Sequence, residues 1–343
     1  MQPVLAYETW GELNAERDNA VLVFTGLSPS AHMACSAEDP SAGWWEDMAG
    51  PDKPLDSNRF FLICMNSLGS CFGSTGPASI DPETNHHYRL NFPVLCIEDI
   101  ARAGAEVLNG LGISQLYATV GVSMGGMTGL AFSILYPART RSLVSISASA
   151  RARPFAIALR SIQREIIRRD PAWQKGRYPY TAPPVNGMKL ARKLGMVSYR
   201  SAAEWQQRFG RERSTEETTE EKPFRHDFEV ESYLEHHANR FVGSFDPNCY
   251  LYLSRAMDLF DAADHGGSLE AACARLELER ALVIGVETDL LFPIEQQQEL
   301  ADLLSDVVAE VTFKTMPSLQ GHDAFLVDMK RFRPVIAEFF RHE

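Results

Sequence analysis

Residues 119–127 read TVGVSMGGM, and the surroundings of Ser123 decide the fold. Gly121, Ser123 and Gly125 form a Gly-x-Ser-x-Gly pattern. The run before it, LYATVGV at 116–122, has the composition of a strand. The run after it, MTGLAFSIL, is rich in helix formers and stops near Pro137. A strand turning sharply into a helix lifts a serine hydroxyl to the top of a sheet. The bare pattern also fits an ordinary small residue in a glycine-rich turn. The strand-turn-helix context favours a nucleophile.

The flanking sequence repeats the strand signal. AVLVF at 20–24, FFLICMN at 60–66, SLVSISA at 142–148, ALVIGV at 281–286 and EVTFKTM at 310–316 are mostly continuous apolar runs. Such runs suit strands buried on both faces of a mainly parallel sheet. IEDIARAGAEVLNGLG at 97–112, EQQQELADLLSDV at 295–307 and MKRFRPVIAEFF at 329–340 carry helical apolar spacing. Strands alternating with helices predict an α/β fold.

Between Arg151 and Ala262 the strand signal fades, and FAIALRSIQREIIRR, GMKLARKLG, FEVESYLEHHANRFV and NCYLYLSRAMDLFDAA all read as helix. The expected organisation is a core in two parts, 1–150 and 263–343, with a helical lid inserted at 151–262. The charged stretch RERSTEETTEEKPFRHD at 211–227 is expected to be an exposed loop.

Composition excludes several classes. The formal net charge is −12, with no basic run interleaved with aromatics, so nucleic acid is not an expected partner. No apolar window approaches a membrane span, and the start MQPVLAYETWGELN lacks a basic n-region and apolar h-region. Cys35, Cys64, Cys71, Cys96, Cys249 and Cys273 form no CxxC pair, which fits free thiols in a reducing cytoplasm. His86-His87 and His236-His237 have no carboxylate or cysteine partners at metal spacing, so no metal is expected.

A serine hydroxyl needs a base, and the base needs an orienting acid. In an open α/β sheet both should lie beyond the carboxyl ends of other strands. Glu287 and Asp289 follow the run ALVIGV, and His322 follows EVTFKTM. The order Ser123, Asp289, His322 matches nucleophile, acid and base in the α/β-hydrolase fold. The oxyanion hole should combine the amide of Met124, next to the nucleophile, with that of Leu27 beyond the VLVF strand.

Seven segments now resemble one branch of that fold. They are LAYETWGELN, GLSPSAH, GWWEDMAGPDKPLDSNRFFLICMNSLGSCFGSTGPAS, GVSMGGMTGLAF, LARKLGMVSYRS, SYLEHHANRFVGSFDPNCYLYLSRAMD and GHDAFL. The resemblance is to the homoserine O-acyltransferase family, which also contains serine O-acyltransferases. It implies an α/β-hydrolase core with a helical lid, a homodimer, and ping-pong acyl transfer from coenzyme A to an amino-acid hydroxyl. By that resemblance Ser123 is the nucleophile, Asp289 the acid and His322 the base. Arg192 would bind the acceptor carboxylate and Asp323 its ammonium.

The family pattern also bears on specificity. The run from Leu27 to Ser30 before Ala31 and His32 looks like the serine-acylating branch, and SLGSCFGSTGPAS looks like succinyl-using members. The expected substrates are succinyl-CoA and L-serine, with no bound cofactor; L-homoserine is the alternative acceptor and acetyl the alternative acyl group. A succinyl carboxylate calls for a cation. Arg151, Arg153, Arg160 and Arg164 are candidates, with Arg160 preferred. An esterase or thioesterase on the same fold would use water and have no need of Arg192 and Asp323.

Overall fold

The computed structural model describes residues 3–214 and 225–341. Seven strands form the main sheet: β1 (Tyr7–Trp10), β2 (Ala20–Phe24), β3 (Phe61–Met65), β4 (Ala118–Val122), β5 (Ser142–Ile146), β6 (Arg280–Val286) and β7 (Glu310–Met316). Their spatial order is β1-β3-β2-β4-β5-β6-β7. Every pairing is parallel except that of β1 with β3. The six apolar runs read from the sequence each coincide with, contain or fall within one of β2–β7. The edge strand β1 was not foreseen: YETW is short and half exposed, so it carries no continuous apolar signal.

Burial explains why the central strands are apolar without alternation. All residues of β2, β4 and β5 are buried. Leu22, Phe24, Ile63 and Met65 join the core on one face, with residues of α1 (Ile97–Leu111) and α2 (Met124–Leu135). Val21, Val23, Leu62 and Cys64 join the other, with Phe332, Ile336 and Phe340 of the closing helix at Met329–Arg341. Each large side chain buried in this way contributes about 2 kcal/mol.

Between β5 and β6 the chain is helical. It forms α3 (Pro154–Arg169), α4 (Val185–Tyr199), α5 (Ala202–Phe209), α6 (Glu229–Phe241) and α7 (Pro247–Leu259), followed by the short α8 (Leu269–Cys273). α3 packs on α4 and α7, and α4 packs on α6. After β6 come α9 (Ile294–Ser305), β7 and the His322 turn. Of the charged stretch expected to be a loop, residues 215–224 lie outside the described residues. Among the described residues no helix is long and apolar enough to cross a membrane.

Candidate active site

β4 delivers Ser123 at φ 55° and ψ −120°, a backbone conformation that costs a non-glycine residue on the order of 1–3 kcal/mol. The surroundings impose it. The Ser123 amide donates to Ile146 O of the neighbouring strand at 2.9 Å, and Ser123 O accepts the Gly126 amide at 2.9 Å. The two motif glycines permit the turn. A Cβ on Gly125 would lie 2.0 Å from Phe24 O, and one on Gly121 would lie 2.1 Å from Gly125 O.

The hydroxyl raised by this turn meets the His322 imidazole. His322 Nε2 lies 2.8 Å from Ser123 Oγ, and His322 Nδ1 lies 2.7 Å from Asp289 Oδ2. All three residues are buried. The second oxygen of Asp289 accepts the amides of Leu291 and Phe292 at 2.9 and 3.0 Å. Glu287, the other acid beyond β6, is exposed. The His322 ring stacks on Phe292 at 5.3 Å between centroids and meets the edge of Phe325 at 5.6 Å. Burial acts against the imidazolium, but the Asp289 charge and hydrogen bond outweigh it, so the His322 pKa is raised.

Thr288 joins the two loops, a contact the sequence did not reveal. Its hydroxyl donates to Ser318 O at 2.7 Å and accepts the Gly321 amide at 3.1 Å. The acid loop and the histidine loop are thus tied to one another immediately before Asp289 and His322.

Above Ser123 is a cavity of about 150 Å³. Its lining includes Leu27, Ser123, Arg160, Arg192, His322 and Asp323, so the expected site residues converge. Among the described residues the amides of Leu27 and Met124 donate to no protein acceptor, and Met124 is the first residue of α2. Both are free for an oxyanion.

The charged residues divide the cavity. The Arg192 guanidinium lies 4.6 Å from the Phe241 ring centroid and 5.9 Å from that of Tyr199. Its Nε is buried without a hydrogen-bond partner, and among the described residues it has no carboxylate partner. Arg160 pairs through Nε with Asp258 Oδ1 at 2.6 Å, while its Nη2 is buried and unpartnered. Arg164 Nη2 lies 2.6 Å from the other oxygen of Asp258. Arg151 and Arg153 pair with Glu299, and among the four arginines considered only Arg160 lines the cavity. Asp323 sits beside His322 with Oδ2 at 3.2 Å from Arg200 Nε; burial raises its pKa, and Arg200 and His322 oppose the rise.

Asp258 and Arg200 were missed by sequence reasoning. Both fall inside segments that carried the family resemblance, but no local spacing assigned them a partner. Among the described residues no group of three metal-ligating side chains converges.

A family model for the alpha/beta hydrolase fold matches residues 19–328. The chain is 56% identical over 339 residues to a serine O-succinyltransferase of Litchfieldella anticariensis, covering 98% of this chain and 92% of that protein. It is also 56% identical over 336 residues to a serine O-succinyltransferase of Stenotrophomonas maltophilia, covering 98% and 91%. Among solved structures, a homoserine O-acetyltransferase from Bacillus anthracis superposes with a TM-score of 0.90 at 29% identity, covering 99% and 92%. Esterase E22 superposes with a TM-score of 0.87 at 28% identity, covering 98% and 94%.

Proposed function

The chain belongs to the serine O-succinyltransferase family of the α/β-hydrolase fold, and from that premise we propose how its pocket transfers succinyl from succinyl-CoA to the L-serine hydroxyl, a step of L-cysteine biosynthesis. The observation that carries this reading is one cavity lined by Ser123 and His322, the latter backed by Asp289, together with two guanidiniums with unpartnered nitrogens and the Asp323 carboxylate. An esterase needs the relay alone. The charges suit substrates that each end in a carboxylate, one of them also carrying an ammonium.

In the first half-reaction His322 Nε2 takes the Ser123 proton while Oγ attacks the thioester carbon. The developing oxyanion is held by the amides of Leu27 and Met124. The carbon–sulfur bond breaks, coenzyme A leaves with the proton from His322, and succinyl remains esterified to Ser123. Arg160 Nη2 holds the succinyl carboxylate. L-Serine then binds with its carboxylate on Arg192 and its ammonium on Asp323. His322 removes the acceptor hydroxyl proton as the acceptor oxygen attacks the succinyl carbonyl carbon. The new ester bond forms, the bond from that carbon to Ser123 Oγ breaks, and Ser123 recovers the proton from His322. The clamp gives the acceptor hydroxyl a high effective concentration over water.

Homoserine differs from serine by one methylene, worth only about 1–3 kcal/mol of discrimination. The GLSPSAH loop over the nucleophile supports serine. Large apolar side chains half exposed on α3 (Phe155, Ile162) and α4 (Leu190, Val197) support a homodimer that covers them. Free cysteines and an acyl-CoA donor support a cytoplasmic location.

The test is mass spectrometry followed by a two-by-two assay. Succinyl-CoA alone should add one succinyl mass to the protein and none to Ser123→Ala. Succinyl- or acetyl-CoA, each offered with L-serine or L-homoserine, should give the fastest turnover for succinyl-CoA with L-serine. Thiol release that is indifferent to any amino acid would instead establish a thioesterase.

A further inference from the structure

Tyr199, Arg200 and Ser201 join α4 to α5, and they are docked on the histidine loop rather than free above it. Ser201 Oγ donates to Leu319 O at 2.6 Å and accepts the Glu204 amide at 3.0 Å, capping α5. Arg200 Nη1 donates to Gln320 Oε1. Gly321 has φ +61°, and a Cβ there would lie 2.5 Å from Tyr199 O and 3.0 Å from Arg200 Cα. Backbone therefore lies against backbone, so the two segments keep a fixed spacing.

Within that contact Arg200 takes one oxygen of Asp323 and leaves the other. Its Nε lies 3.2 Å from Oδ2, and among the described residues no protein donor reaches Oδ1. The Arg200 side chain is largely buried, and Glu204 Oε1 lies 3.6 Å from its Nη1. We propose that Arg200 is a positioning residue of the acceptor half-site: from the α4–α5 junction it holds Oδ2 of Asp323 so that Oδ1 stays available to the substrate ammonium. This inference rests on the assignment of Asp323 to the acceptor ammonium given above.

A second consequence follows from the charge of Arg200. Asp323 faces Arg200 from the junction, Arg192 from α4, His322 beside it and Asp289 from the acid loop. Burial disfavours its carboxylate; Arg200 is the strongest opposing influence, ahead of His322 and Arg192, and Asp289 adds to the burial effect. Removing Arg200 leaves burial and Asp289 in place, so Asp323 retains its proton to higher pH. A protonated Asp323 cannot pair with an ammonium. Loss of Arg200 should therefore weaken acceptor binding most at low pH and least at high pH.

The experiment compares the parent with Arg200→Met and Arg200→Lys from pH 6 to 9. For Arg200→Met, the burst of coenzyme A release without acceptor should stay within about threefold of the parent. KM for L-serine should rise at least tenfold at pH 6.5, and the gap should narrow toward pH 9. Arg200→Lys restores the charge and should return the parent pH profile. The Asp323 carboxyl carbon resonance, identified by its loss in Asp323→Asn, should titrate at higher pH in Arg200→Met than in the parent. A KM defect of equal size at every pH, an equal loss of the burst, or an unchanged carboxyl titration would overturn the proposal. The titration needs no turnover. If it moves as expected while no amino acid is acylated by the parent, the functional assignment fails and the Arg200–Asp323 coupling stands.

Discussion

Asp289 is held at both oxygens: Oδ2 lies 2.7 Å from His322 Nδ1, and Oδ1 accepts the amides of Leu291 and Phe292. Its orientation is set by its own loop before the imidazole is considered. It can therefore fix the His322 tautomer with Nε2 free to accept the Ser123 proton. Glu287, two residues earlier, is exposed and takes no part in this arrangement.

Asp289→Asn should lower kcat by about 10³–10⁴-fold, because an amide supports the wrong tautomer. Glu287→Gln should leave it within about twofold. Steady-state turnover with succinyl-CoA and L-serine ranks the two. A larger loss from Glu287→Gln would reassign the acid.

The same contact sets the pH response. His322 must be neutral at Nε2 to act as base; burial lowers its pKa, but the Asp289 charge and hydrogen bond outweigh burial and hold it above the ordinary histidine value. Acylation should therefore fail as pH falls through a single ionisation above that value, and stay level on the alkaline side until another group titrates. In Asp289→Asn the charge is lost while burial remains, so the His322 ionisation should move to lower pH. Single-turnover coenzyme A release against pH reports the parent limb, and imidazole NMR titration reports the variant. An ionisation that stays in place in Asp289→Asn would show that Asp289 does not govern the base.

Much of this arrangement is legible in the sequence. The apolar runs of β2, β4 and β5 lie in strands wholly buried between two cores, so hydrophobicity alone marks them. The triad follows because a parallel sheet collects the ends of β4, β6 and β7 on one edge, which converts chain order into proximity. What stayed hidden has a different physical basis. β1 is a half-exposed edge strand paired with β3, with only Trp10 buried, so it leaves little hydrophobic trace. The Thr288 latch, the Arg160–Asp258–Arg164 cluster and the Arg200–Asp323 pair are long-range contacts between polar residues, with no characteristic spacing.

Arg160→Met tests the acyl preference. The substitution keeps much of the stem and leaves Asp258 paired with Arg164. A hydrogen bond to a charged group contributes about 1.5–3 kcal/mol, so kcat/KM for succinyl-CoA should fall by roughly 10- to 100-fold. With acetyl-CoA, which offers no distal carboxylate, it should change by no more than a few fold. Equal losses with both donors, at an unchanged melting temperature, would remove Arg160 from acyl recognition.

Arg192 is the cation in the cavity without a carboxylate partner among the described residues, held in place by the faces of Phe241 and Tyr199. An aromatic cradle orients a planar guanidinium without neutralising it, which leaves its hydrogen-bonding edge for an anion. The acceptor carboxylate is that anion in the proposed reaction, and the thioester is not, so the half-reactions should separate. In Arg192→Ala the succinylation of Ser123 should remain within a few fold of the parent, while transfer to L-serine falls by roughly 10²-fold, as expected for loss of a charged anchor. Arg192→Lys should recover only part of the loss, because an ammonium lacks the planar fork and cannot make two parallel bonds to a carboxylate. Asp323→Asn should show the same separation, with a larger loss in the first half-reaction than Arg192→Ala because its neighbour is His322. Rapid-mixing measurement of coenzyme A release, with and without L-serine, reads both steps in one experiment. If Arg192→Ala loses the burst as severely as the transfer, the guanidinium serves the acyl donor or the relay instead, and the acceptor must find its anchor elsewhere.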